Sequence, residues 1–204
     1  MHGPTRRRSD HGRFTRPERH SPMRLATLAT VFAFAALSPA GAQQSPTVAI
    51  IVRHAEKAVA PANDPPLTDA GTARARALAA ALADANVQAV ITTQLLRTRE
   101  TARPLAETRG LTMETVQTGA VAAHAQAVAD AVRKHAGKTV LVVGHSNTVA
   151  PIIAALGGPK LADLCDSQYA NLFTVILDGP TARLVVGTYG EPSPAVATGC
   201  PQMR

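Results

Sequence analysis

Residues 43–204 of this 204-residue chain predict one α/β domain, a three-layer sandwich whose mostly parallel central sheet is flanked by helices. Three observations predict it. Short apolar runs rich in β-branched residues recur along the chain, they alternate with segments of helical character, and no internal repeat or long linker interrupts them. Such runs suit strands buried on both faces, as parallel strands are.

The first run, residues 47–52 (TVAIIV), is almost wholly apolar and reads as a buried strand. A proline-rich loop, 61–66, leads to a helix over 68–85. There Leu78 and Leu82 stand one turn apart, Thr68 is a suitable N-cap and Asp69 suits the first turn. Residues 87–92 form a second strand and 95–108 a second helix, which the internal Pro104 should kink or shorten. A weaker strand over 112–117 precedes a helix near 124–135 that Gly137 stops. The run KTVLVVG, 138–144, is the strongest central strand. Residues 147–156 should be helical, with Pro151 in the first turn and Gly157-Gly158 at the end. Residues 171–178 and 182–188, separated by Gly179-Pro180, read as a closing hairpin or two edge strands.

The formal charge of +7, from 21 Lys and Arg against 14 Asp and Glu, invites a nucleic-acid reading, but its distribution argues otherwise. Residues 1–42 hold seven of the arginines against only Asp10 and Glu18, so most of the excess lies in that leader. Three of the four phenylalanines, Phe14, Phe32 and Phe34, lie there too. The remainder has only Tyr169, Phe173 and Tyr189 to stack on a base, so no nucleic-acid partner is expected.

From Met23 the leader has the pattern of a secretory signal: Arg24, an apolar run over 25–37, and the small-x-small site Ala40-Gly41-Ala42. Cleavage is expected after Ala42, which leaves 43–204 as the exported domain with no stable membrane anchor. In an oxidising compartment the two cysteines, Cys165 and Cys200, are expected to pair. Closing that loop of about 36 residues would contribute roughly 3–4 kcal/mol by chain entropy.

Ligands of such sheets bind beyond the carboxyl ends of the strands. There the chemistry is concentrated. Arg53-His54 follows the first strand immediately, His145 follows the 138–144 strand, and Arg97 opens the helix after the second. Two guanidinium groups and two imidazoles converging at one end of a sheet suit a dianionic phosphoryl group. Other chemistries lack their parts: His54-Ala55-Glu56 has no PCxxC partner for a zinc deaminase, Ser146 lacks the flanking glycines of a nucleophile elbow, and no GxxxxGK[ST] loop occurs.

Four segments in order, VRHAEK (52–57), LTDAG (67–71), LLRTRETA (95–102) and VVGHSN (142–147), resemble the histidine phosphatase superfamily, which includes phosphoglycerate mutases, acid phosphatases and short bacterial phosphohistidine phosphatases. The resemblance implies a phosphoglycerate mutase-like fold and a small phosphorylated substrate, with no metal or cofactor required. It makes His54 the nucleophile, forming a phosphohistidine, and gives Arg53, Arg97 and His145 the nonbridging oxygens. The sequence departs from the family at the general acid. Ser146 stands where one branch has an acid, and residues 117–126 (QTGAVAAHAQ) hold no carboxylate where the other branch has a glutamate. His124 and Glu56 are the candidates for the acid or an accessory role, Glu114 reading as an exposed strand residue. Phosphoramidates or acyl phosphates, whose leaving groups need less protonation, then suit the site as well as phosphomonoesters. The expected function is an exported phosphatase; a phosphate-binding or regulatory module with little turnover and a phosphosugar mutase are the alternatives.

Overall fold

Seven residues, Thr47–Arg53, form strand β1 in the computed structural model, which describes residues 45–179 and 181–194. All but Val48 are buried, because β1 lies inside the sheet and its alternate side chains enter two different cores. The other elements follow in chain order: α1 (Asp69–Ala81), β2 (Val87–Thr92), α2 (Leu96–Arg109), β3 (Met113–Thr115), α3 (Val121–Arg133), β4 (Thr139–Gly144), α4 (Val149–Ala155), β5 (Asn171–Asp178) and β6 (Thr181–Thr188). The sheet order is β3-β2-β4-β1-β5-β6. The pairs β3-β2, β2-β4 and β4-β1 are parallel, and β1-β5 and β5-β6 antiparallel, so the sheet is mixed and mostly parallel, as expected.

Ala49 and Ile51 of β1, with Val140 and Val142 of β4, pack against α3 and α4. Ile50 and Val52, with Leu141 and Val143, pack against Leu78 of α1 and Leu105 of α2. Each fully buried side chain of this size contributes about 1.5–3 kcal/mol relative to exposure, which is why the valine and isoleucine runs hold the centre. The three layers follow directly from that alternation.

Several boundaries differ from the sequence expectation for local reasons. α1 ends at Ala81, because Leu82 leaves helical geometry and the chain reverses through Asn86, at φ 47°, to enter β2. α2 runs through Pro104 instead of ending there; the proline removes one N–H from the ladder but leaves the helix to close on Gly110, whose φ of 63° terminates it. α4 begins at Val149, since a turn over His145 to Thr148, held by the Thr148 N–H and Val149 N–H on the His145 carbonyl, comes first. The last two strands form a hairpin in which only β6 is an edge, β5 being paired on both sides. Pro180 of its turn lies outside the described residues, as do residues 1–44, which include the whole leader, 1–42.

Candidate functional site

Because β1 and β4 are parallel neighbours with Arg53 opposite Gly144, both histidines leave the sheet side by side. The His54 N–H donates to the Gly144 carbonyl at 2.9 Å, and the two imidazoles meet edge-on with centroids 5.4 Å apart. A cavity of about 310 Å³ opens over them, lined also by Arg53, Arg97, His124 and Ser146. Sequence reasoning thus finds the two histidines, both arginines and His124 in one place.

Arg53 is 4% exposed and is aimed by the irregular segment before β5. Its Nη1 donates to the carbonyls of Cys165 (2.8 Å), Asp166 (3.1 Å) and Gln168 (3.3 Å), its Nη2 donates to the Tyr169 hydroxyl (3.2 Å), and the guanidinium lies 4.1 Å from the Tyr169 ring centre. The Arg53 Nε has no protein partner. Arg97 sits in the first turn of α2, where Asp64 of the proline-rich loop accepts from the Leu96 N–H at 2.8 Å. Its Nε is likewise buried and unpartnered. Burial lowers the pKa of both arginines. The nearby carboxylate of Asp64 opposes this at Arg97, as Tyr169, Asp166 and Glu56 do at Arg53.

The His54 Nδ1 lies 2.8 Å from the Ala55 carbonyl. A carbonyl only accepts, so Nδ1 carries the proton and Nε2 of the neutral ring has a free lone pair. Burial pushes this imidazole down to about 3, with the charges of His145, Arg53 and Arg97 adding to the effect against the Ala55 hydrogen bond. Burial, then Arg97, His124 and Arg53, push His145 down to about 4. Both are therefore neutral at pH 7. The His145 Nε2 is 3.3 Å from the Thr93 hydroxyl, which itself contacts the Thr98 hydroxyl at 3.0 Å. The His145 Nδ1 is buried without a partner. Arg53 Nε and Arg97 Nε are thus two unused donors on residues that line one cavity, with the unpartnered His145 Nδ1 as a third open position, and a tetrahedral oxyanion suits such a set.

Several residues to which sequence reasoning gave no role at the site position it. Thr101, fully buried, accepts from the Ala55 N–H at 2.9 Å and donates to the Arg97 carbonyl at 2.7 Å, tying the His54 segment to the helix that carries Arg97. Gln94 and Thr118 exchange two hydrogen bonds across the cavity wall. Thr68 caps α1 by accepting from the Gly71 N–H, and its own N–H donates to the Glu56 carbonyl, so the LTDAG segment clamps the loop after His54.

Glu56 is placed elsewhere. Its carboxylate takes the Arg74 guanidinium in a fork at 2.8–3.0 Å on the α1 side of the sheet, and it does not line the cavity of His54. Glu114 pairs with His135 at 3.1 Å. Glu100 accepts from the Leu67 N–H at 2.7 Å. Among the described residues the one carboxylate lining the cavity is Asp166, whose side chain is 99% exposed and 3.5 Å from Arg53. Cys165 is buried, and Cys200, its expected partner, lies outside the described residues.

Fold and cavity together define an α/β protein of phosphoglycerate mutase-like architecture with a cationic pocket at the carboxyl end of its sheet. The chain resembles the histidine phosphatase superfamily in sequence as well: residues 49–118 match the model for branch 1 of that superfamily. Among solved structures it is similar to the protein histidine phosphatase SixA complexed with tungstate (22% identity, TM-score 0.53, covering 69% of this chain and 96% of that one). It is similar also to a mycobacterial glucosyl-3-phosphoglycerate phosphatase (15%, TM-score 0.54 with its vanadate complex at 16%) and to a phosphoglycerate mutase from Bacillus anthracis (14%, TM-score 0.57, covering 70% and 93%). The mycobacterial protein is covered over 98% of its length by 71% of this chain. At these identities the likeness is one of fold. No curated protein matches the chain.

Proposed function

We propose that this protein is a metal-independent phosphatase that hydrolyses phosphomonoesters, or phosphoramidates, through a phosphohistidine on His54. The observation that carries the reading is the bare Nε2 of a buried, neutral His54 beside two unused guanidinium donors, on Arg53 and Arg97, and the unpartnered Nδ1 of His145. Nε2 attacks phosphorus in line, the leaving group departs opposite, and Arg53, Arg97 and His145 hold the nonbridging oxygens as charge spreads over them. Among the described residues no buried carboxylate lines the cavity, which favours substrates with good leaving groups.

The purified protein should hydrolyse 4-nitrophenyl phosphate in the presence of EDTA and yield an acid-labile labelled phosphoenzyme. His54→Ala should abolish both, and equal hydrolysis by that variant refutes the nucleophile. Tight vanadate binding without turnover would favour the binding-module reading, and phosphoryl transfer to a sugar hydroxyl in place of water would favour a mutase. The proposal includes export of the domain with loss of residues 1–42 and closure of a Cys165–Cys200 disulfide. N-terminal sequencing of protein from the cell envelope or medium, and its intact mass before and after reduction, test these two points.

A further inference from the structure

We propose that His124 is the general base that takes a proton from the water attacking phospho-His54, a role that rests on the phosphatase reading above. His124 occupies the first turn of α3, is 4% exposed and lines the same cavity as His54 and His145. Its Nδ1 lies 2.9 Å from the Gln117 carbonyl, which only accepts, so Nδ1 holds a proton and Nε2 is the position at which this imidazole carries a lone pair when it acts as a base. That Nε2 is buried with no partner. A lone pair in an anion cavity repels phosphoryl oxygens, which are themselves acceptors, so the partner that satisfies it must be a donor. The attacking water is one.

The other bases are otherwise engaged. Glu56 is held by Arg74 away from the cavity, and the Asp166 side chain is 99% exposed, its carboxylate turned to solvent and 3.5 Å from the Arg53 guanidinium. In the second half-reaction the water oxygen bonds to phosphorus and the P–N bond breaks. Its electron pair returns to the His54 Nε2, and one water proton passes to the His124 Nε2, from which solvent later removes it. In the first half-reaction an activated aryl oxide leaves without a proton, so His124 has no part in it with such a substrate.

The two halves separate in a rapid-quench experiment with 4-nitrophenyl phosphate on wild type, His124→Ala and His124→Gln. Glutamine can still donate to the Gln117 carbonyl but cannot take up a proton. In both variants the first-turnover burst should stay within about threefold of wild type while steady-state turnover falls about 10²-fold or more, the scale of general base catalysis. Acid-labile phosphoenzyme should accumulate toward full occupancy. Added imidazole should restore turnover in His124→Ala, which a merely structural role would not allow. Equal slowing of burst and steady state, or steady-state turnover close to wild type in the glutamine variant, overturns the assignment. Undiminished hydrolysis by His54→Ala would instead remove the phosphohistidine itself, so failure of the parent reading is recognisable separately.

Discussion

Arg53→Lys separates two functions that one side chain performs. The guanidinium spends Nη1 on three loop carbonyls and Nη2 on Tyr169, leaving Nε for an incoming oxyanion. An ammonium has three donors at one point and can serve the carbonyls or the anion but not both. Hydrogen bonds to a charged donor contribute about 1.5–3 kcal/mol each, and orphaned buried acceptors cost a similar amount, so a net loss of roughly 2–4 kcal/mol is expected. The ion pair to Asp166 is left out of that figure, because the carboxylate is solvated. For a domain of this size the loss corresponds to a fall in Tm of about 5–10 °C. Removing one preorganised donor from a developing oxyanion lowers kcat by about 10²–10³-fold. Thermal unfolding followed by circular dichroism and initial rates on an activated aryl phosphate read the two effects independently. A lysine variant with wild-type Tm would refute the anchoring of the 165–169 segment, and one with wild-type kcat/KM would refute the phosphoryl contact.

Thr101→Val strands the buried Ala55 N–H and should destabilise by about 1–3 kcal/mol in urea titration, with a fall in activity larger than that at a distant surface site. Gly71→Ala places a Cβ 2.1 Å from the Glu56 carbonyl oxygen, so α1 or the loop after His54 must shift; a loss of about 1–3 kcal/mol is expected, and an unchanged Tm would contradict the clamp. His54 and His145 are neutral in the folded state down to about 3 and 4, whereas in the unfolded chain they titrate near their ordinary 6.5. Between pH 7 and pH 5 the unfolded state alone takes up those protons, so stability falls with acidification by on the order of 2 kcal/mol per histidine. His54→Gln/His145→Gln should have a flatter stability profile over that window, and an identical slope would show that the two rings are not held neutral. Vanadate, bound by the folded state alone, should raise Tm in wild type and much less in Arg97→Ala.

The legible part of the molecule is the part that burial dictates. Runs such as TVAIIV and TVLVVG admit no solvent-facing side, so their place inside the sheet follows from composition, while their pairing with each other, and with it the adjacency of His54 and His145, is seen in the structure. The chemistry of Arg97 was readable because a recurrent motif surrounds it. Glu56 misled because proximity along the chain is not proximity in space: two residues past His54 the chain has turned toward α1, where Arg74 claims the carboxylate. Arg74 itself is 6% exposed in an alanine-rich helix, a position whose burial no periodicity announces. Arg53 was expected as a phosphate ligand alone, since the carbonyls that orient it belong to an irregular segment with no pattern to read. Thr101 is one threonine among many in the α2 region, and only the register of α2 against β1 shows why a hydroxyl stands there.

The pairing of β1 with β4 brings together residues 53–54 and 144–145, about ninety positions apart, across three helices and two other strands. Such a contact closes a long loop and forms only when the intervening chain is already in place, which makes it slow. Catalytic competence is thus a late reporter of refolding. Recovery of helical signal should precede recovery of turnover, and the lag between them measures the time the two central strands take to find each other.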